Sequence, residues 1–238
     1  MDLLFWGMGC RPGQVIDSIW RKRMSAEKEN SLKYWNDMHA KLNYERDNIT
    51  VDDWLEKFED IIVAAKLPVA DLGCGSGNDS LYLINKDKEV IACDRSEKAI
   101  ELIKKNFPEI KETKCFDMLD GMPFEDESFE VVIADLCLHY FTEKDTFGII
   151  DEIKRILLPG GHLILRVNSI NDVNHGAGQG TEIEHHLFET DDKRLKRFFD
   201  DEDIRYFFKD FEIEYMNEEI MSRYKLEKRL YRVCVRKK

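Results

Sequence analysis

One stretch constrains the fold more than any other: VADLGCGSGND, from Val69 to Asp79. An apolar run passes through Asp71 to Leu72, and glycines then stand at 73, 75 and 77. Glycines so close together cost backbone entropy on folding, so a chain keeps them where bare backbone is needed. A strand, a glycine turn and a helix in succession build a crevice at the strand's carboxyl end. There the backbone can be approached closely and a helix N-terminus lies beside it.

The segments that follow alternate. SGNDSLYLINKD reads as a helix, EVIACD as a short strand and SEKAIELIKKNF as a helix capped by Ser96. IKETKCFD is a weaker strand and FEVVIAD a strong one. TEKDTFGIIDEIKRILLPGG reads as a long helix, with Phe147, Ile150, Ile153 and Leu157 on one face and Gly160-Gly161 as its stop. HLILRVN is another strand. Such alternation predicts an α/β, doubly wound, mostly parallel sheet of seven strands covered on both faces. A helix around 201–208 and the strands FEIEYM and RLYRVCVR close the chain, the last two as an antiparallel terminal hairpin.

Two regions do not fit the alternation. Residues 168–190 hold three glycines and no clean period, and a loop that long in a compact domain is often functional. Ahead of the first strand, residues 25–48 are polar and helical in tone, with Tyr34, Trp35 and Tyr44. Residues 52–65 carry Trp54, Leu55, Phe58, Ile61 and Ile62 at helical spacing, with Asp52 and Asp53 suited to a first turn. Residues 25–65 therefore form an expected helical cap on a Rossmann-like core, 66–238, and together they make one domain. Residues 1–24 read as a flexible extension or an over-called start.

Composition narrows the partners. The 238 residues carry a formal net charge of −12, which disfavours a phosphate backbone as partner and makes nucleic acid unlikely. No apolar run approaches the ~20 residues of a membrane span. Asp2 in the apolar start argues against a signal peptide, so the expected location is cytoplasmic. The six cysteines form no C-x-x-C pair and read as free thiols.

The candidate site residues cluster at strand ends. Asp94 ends the second strand, 17 positions after Gly77, where an acid can accept from both ribose hydroxyls. Asp117 ends the third strand, and its other reading is a helix-capping or loop aspartate. His139 and Tyr140 follow the fourth strand at the mouth of the crevice. His139 reads as a base, a contact to the ligand or a packed histidine. His175, Glu182, Glu184, His185 and His186 offer metal donors, but adjacent histidines point apart in regular structure, so no metal is assigned. Tyr34, Trp35 and Trp54 read as helix packing or as an aromatic lid.

VADLGCGSGN, VIACD, CFDMLDGMPFEDESFEVVIADLCLHYF and ILLPGGHLILRVN resemble, in order, the motifs of class I S-adenosylmethionine-dependent methyltransferases of the type 11/25 kind. The resemblance covers roughly residues 50–238. The segment from RVNS to HGAG is similar, less specifically, to the tellurite-resistance-type small-molecule enzymes. The resemblance implies S-adenosyl-L-methionine as cofactor, lined by Gly73, Cys74, Gly75, Gly77 and Asn78, with Asp71 supporting the loop. It implies Asp94 on the ribose, Asp117 on the adenine amine with Met118 and Arg95 about the ring, and Asp135, Leu136 and His139 near the sulfonium. His139 and Tyr140 are the implied catalytic pair. The expected activity is methyl transfer to a small-molecule acceptor. A nicotinamide-dependent oxidoreductase is disfavoured because the glycine spacing is not G-x-G-x-x-G. A non-catalytic cofactor-binding protein is the other rival.

Overall fold

The computed structural model describes residues 28–41, 45–221 and 223–238. The proposed extension 1–24, Cys10 and Tyr44 lie outside them. Residues 28–41 form helix α1. A 3-10 segment, Asp53–Phe58, runs into α2, Glu59–Ala64. The core then follows as β1 (Val69–Leu72), α3 (Asn78–Asn85), β2 (Val90–Asp94), α4 (Glu97–Asn106), β3 (Glu112–Cys115), β4 (Phe129–Asp135), α5 (Glu143–Ile156) and β5 (Leu157–Asn168). Beyond it lie β6 (Thr181–Glu184), β7 (Leu187–Glu189), β8 (Leu195–Arg197), α6 (Asp201–Phe207), β9 (Phe211–Met221) and β10 (Lys228–Lys237).

The main sheet has seven strands in the order β3-β2-β1-β4-β5-β10-β9. Strands β1 to β5 pair in parallel, and β10 enters antiparallel between β5 and β9. The chain winds outward from β1 to β3, then crosses over to β4 and β5. That reversal opens a crevice at the carboxyl ends of β1 and β4, where open α/β sheets take their ligands. Alternation along the strands sorts the core. Ala70, Leu72, Val132 and Ala134 pack with α5 and α6 on one face, while Val69, Val131 and Ile133 pack with α2, α3 and α4 on the other. Asp71 and Asp135 share the second face.

Three expectations are corrected. Helix α5 ends at Ile156, four residues before Gly160, because Pro159 bars continuation: its ring meets the carbonyl four residues back and pushes Leu158 out of the helical region. The single helix over 52–65 is two pieces, and Asp52 turns to arginines instead of capping it. The aperiodic 168–190 segment contributes β6 and β7 to a three-stranded antiparallel sheet with β8. Strands of three and four residues are too short to show a period.

Gly77 sits at the head of α3 with φ +90°, and a Cβ there would lie 2.4 Å from Phe107 Cε2 and 2.8 Å from Ile103 Cδ1. Its missing side chain lets α3 and α4 close together. Gly77→Ala is expected to cost about 2–4 kcal/mol, from overpacking plus a disfavoured backbone, read as a lower urea midpoint.

Candidate active site

A cavity of about 690 Å³ fills the crevice, within the ~300–1,000 Å³ range of small-molecule sites. Its floor is the loop after β1 and the carboxyl ends of β2 and β4. Ser31, Trp35 and His39 of α1 form part of its wall. Gly73 shows why the loop must be bare. With φ +69°, its Cβ would stand 2.5 Å from Cys137 Cβ, so β1 and the turn after β4 could not approach. Cys137 Sγ donates to Leu72 O at 3.2 Å across the same contact.

Asp94 holds the loop from the next strand. Its Oδ2 accepts from Gly75 N at 3.0 Å and its Oδ1 from Ser96 N at 2.8 Å. Burial raises its pKa against those hydrogen bonds and the neighbouring His39. His39 is itself buried, its pKa lowered by desolvation, and its Nδ1 has no partner. Further along, Asp117 Oδ1 accepts from Leu119 N at 3.0 Å. Its Oδ2 lies 3.2 Å from Arg95 Nη2 and 3.5 Å from Lys28 Nζ, in ion-pair range of both but hydrogen-bonded to neither. Arg95 Nη2 donates to Lys28 O at 2.8 Å, joining α1 to this end.

A second group of acids lies behind the loop. Asp135 is held bidentately by Arg166, at 2.6 Å from Nε and 2.7 Å from Nη2. Arg166 also donates to Asp52 Oδ2 at 2.7 Å and stacks over Trp54, 4.4 Å from the ring centre. Trp54 Nε1 donates to Asp79 Oδ1 at 2.7 Å. Asp71 lies beneath, accepting from Ser80 Oγ at 2.5 Å. Burial pushes the Asp71 carboxyl up to about 7, against that hydrogen bond and with help from the charges of Asp135 and Asp94. Burial raises Asp79 well above the usual range too.

Away from Asp94 and Asp117, another part of the cavity lining is basic and aromatic. His139 is 1% exposed, and burial lowers its pKa well below the ordinary value, reinforced by Lys228 and Lys196. Tyr140 packs edge-on to Trp35 at 5.5 Å, and burial raises its pKa. Lys196, from the small sheet, has its pKa lowered to about 8 by burial and by Lys228. Lys228 donates to Asn168 Oδ1 at 2.7 Å and Asp172 Oδ2 at 2.9 Å.

Of the residues singled out in the sequence, Gly73, Cys74, Gly75, Asn78, Asp94, Arg95, Asp117, Met118, Asp135, Leu136, His139 and Tyr140 line one cavity. Asp71 and Gly77 do not; they brace the loop and pack α3. The aromatic trio divides: Trp35 lines the cavity, whereas Trp54 is core. Asp79, His39, Asn168, Lys196 and Lys228 line it without having been anticipated. Only Asp79 carried a local signal, since it follows the glycines directly. His185 and His186 do not point apart. A positive φ of 54° at His186, in the turn between β6 and β7, stacks their rings 3.8 Å apart. Their donors lie with Asp203 within 4.8 Å of one another, the one such trio among the described residues. Neither histidine lines the cavity.

The fold and site define an α/β domain with a ligand-sized cavity at the carboxyl ends of its parallel strands, and comparison with known proteins narrows this further. Residues 70–165 match the family described as Methyltransferase domain. Over those residues the chain is similar to methyltransferase domains. It is 31% identical over 103 residues to the "Uncharacterized methyltransferase sll0829" of Synechocystis, a match covering 43% of this chain and 48% of that one. It is also 31% identical over 108 residues to the "Probable tRNA methyltransferase 9B" of mouse, covering 44% and 23%. The chain thus spans less than half the length of these relatives. Among solved structures, TehB from Haemophilus influenzae superposes with a TM-score of 0.61 at 17% identity, over 86% of this chain and 67% of that one. The 1,6-didemethyltoxoflavin-N1-methyltransferase of Burkholderia thailandensis, solved with its acceptor and S-adenosylhomocysteine, gives 0.58 at 15%, over 98% and 92%.

The raised Asp71 carboxyl has a measurable consequence. Its folded pKa lies above the unfolded value of about 3.9, so the folded state binds the extra proton between about pH 4 and 7, and Asp71 weakens the fold as pH rises through that window. Asp71→Asn is expected to gain stability relative to the parent progressively from pH 4 to 7. Urea midpoints at pH 4.5 and 7.5 check this; a constant difference between the two proteins contradicts it.

Proposed function

We propose that the protein transfers a methyl group from S-adenosylmethionine to a small-molecule acceptor enclosed between the sheet, α1 and the small antiparallel sheet. One observation carries the reading: the glycine loop, Asp94, Asp117 and the basic, aromatic end are walls of a single cavity. The residues present fit the cofactor. The bare loop, the spare lone pairs of Asp94 and the unbonded Asp117 Oδ2 suit an amino acid tail, a ribose and an exocyclic amine. The sulfonium supplies an activated methyl for in-line displacement, so the protein's work is alignment and exclusion of water. His139, kept neutral by burial, has a free Nδ1 able to accept a hydrogen bond or proton from the acceptor.

A second reading, with a tRNA nucleoside as acceptor, is favoured by the names of several relatives, the mouse protein among them. Against it, the family match ends at residue 165, before Asn168, Lys196 and Lys228. The family match therefore does not extend to the residues at the basic end of the cavity.

Calorimetric titration with S-adenosylmethionine, S-adenosylhomocysteine and NADH tests the reading. Micromolar binding of the first two is expected, weakened at least tenfold by Asp94→Ala; binding of NADH alone contradicts it. Labelled-methyl transfer to a metabolite pool, and not to bulk tRNA, is expected with the same preparation. The reverse outcome selects the nucleoside reading.

A further inference from the structure

Three groups at the far end of the cavity lack the partner their chemistry calls for. Asn168 is fully buried, and its Oδ1 accepts from Lys228 Nζ. An ammonium only donates, so that bond fixes the amide's orientation and leaves Nδ2 as the free donor. Nδ2 has no hydrogen-bond partner. Lys196 is half-buried, and its Nζ donates to the carbonyl of His175. No carboxylate lies within ion-pair reach of it among the described residues, whereas Lys228 has Asp172. His139 Nδ1 is the third unpartnered atom. All three residues line the same cavity.

The charges there do not balance. Two ammonium groups, Lys196 and Lys228, act on each other and on His139, and Asp172 alone answers them. A buried cation without a counter-charge is costly, and this one persists in a chain of net charge −12. Asn168 Nδ2 has no partner in the protein, and Lys196 Nζ meets the His175 carbonyl and, at 5.3 Å, the Phe198 ring, neither of which carries a counter-charge. What completes them is a ligand with a negative charge and acceptor oxygens.

We propose that the acceptor end is an anion subsite in which Lys196 Nζ and Asn168 Nδ2 hold the carboxylate or oxyanion of the methyl acceptor. The assignment of the anion as methyl acceptor rests on the proposed function; the anion subsite itself does not. Trp35, Tyr140 and Tyr224 line the rest of this end and suit an apolar or aromatic body beside the anionic group.

The test is calorimetry on the full chain, with and without S-adenosylhomocysteine. The probes are benzoate, 4-hydroxybenzoate and indole-3-acetate, each paired with its neutral amide, together with inorganic phosphate, sulfate and bulk tRNA. At least one acid is expected to bind tenfold or more tightly than its amide. Lys196→Gln is expected to erase that preference and Lys196→Arg to restore most of it, with affinity for S-adenosylhomocysteine changed less than twofold in both. Lys196-dependent binding of phosphate or sulfate alone also supports the subsite and identifies an inorganic oxyanion as its occupant. Amides binding as tightly as acids, no anion binding at all, or tRNA binding through Lys196 while no small anion does, each overturns the proposal. Lys196-dependent anion binding without any binding of S-adenosylhomocysteine leaves the subsite standing and removes the methyltransferase reading instead.

Discussion

Arg166 is the interaction on which the site depends. Its guanidinium is 2% exposed and lies among Asp135, Asp52 and Asp79, with the Trp54 ring beneath. Without it, the acids behind the glycine loop would face one another in a medium that screens poorly, and removing one partner of such a buried network costs several kcal/mol. The network also joins distant parts of the chain. Arg166 belongs to β5, Asp135 to β4, and Asp52 to the segment that leads into the helical cap. Leu136, held at φ +52° with its N–H donating to Arg166 O at 3.0 Å, turns the chain out of β4 at the same place. The loop's shape, the position of the cap and the turn after β4 are thus set together.

Much of this was legible in the sequence, because it is local. Val69 to Asp79 announces strand, turn and helix within eleven residues. Ser96 announces its helix by its own side chain, and it does accept from Ala99 N at 3.2 Å. Asp94, Asp117 and Asp135 sit where apolar runs end, so their place at the crevice follows from the parallel winding alone. What escaped notice is what depends on separation in sequence. Lys196 and Lys228 look like ordinary surface lysines, and only the return of β10 beside β5 brings Lys228 to Asn168. Arg166 reads as one polar residue in an apolar strand. The histidine pair misled because its geometry depends on one left-handed residue that no periodicity reveals.

The two halves of the cavity follow different logic. The half that holds the glycine loop, Asp94 and Asp117 is built from strand ends and backbone N–H groups and lies within the stretch matched to the methyltransferase-domain family. The other half is built from side chains on the small sheet and on β5 and β10. The small sheet is fastened beside the site by Arg197, whose N–H donates to His139 O at 2.7 Å and whose guanidinium reaches His185 O and Glu184. A strongly acidic chain has concentrated positive charge in one enclosed place, which net charge cannot show.

Helix α1 is attached by two kinds of contact. One kind is polar: Lys28 to Asp120 at 2.8 Å, Arg95 to the Lys28 carbonyl, and Ser96 Oγ to Asn36 at 2.7 Å. The other is made by rings, with Trp35 against Tyr140 and Arg194 over Tyr34 at 3.6 Å. Ring contacts can slide apart without stranding a donor, whereas the polar clasp must be broken group by group. The rings of α1 can therefore give way while its polar contacts hold.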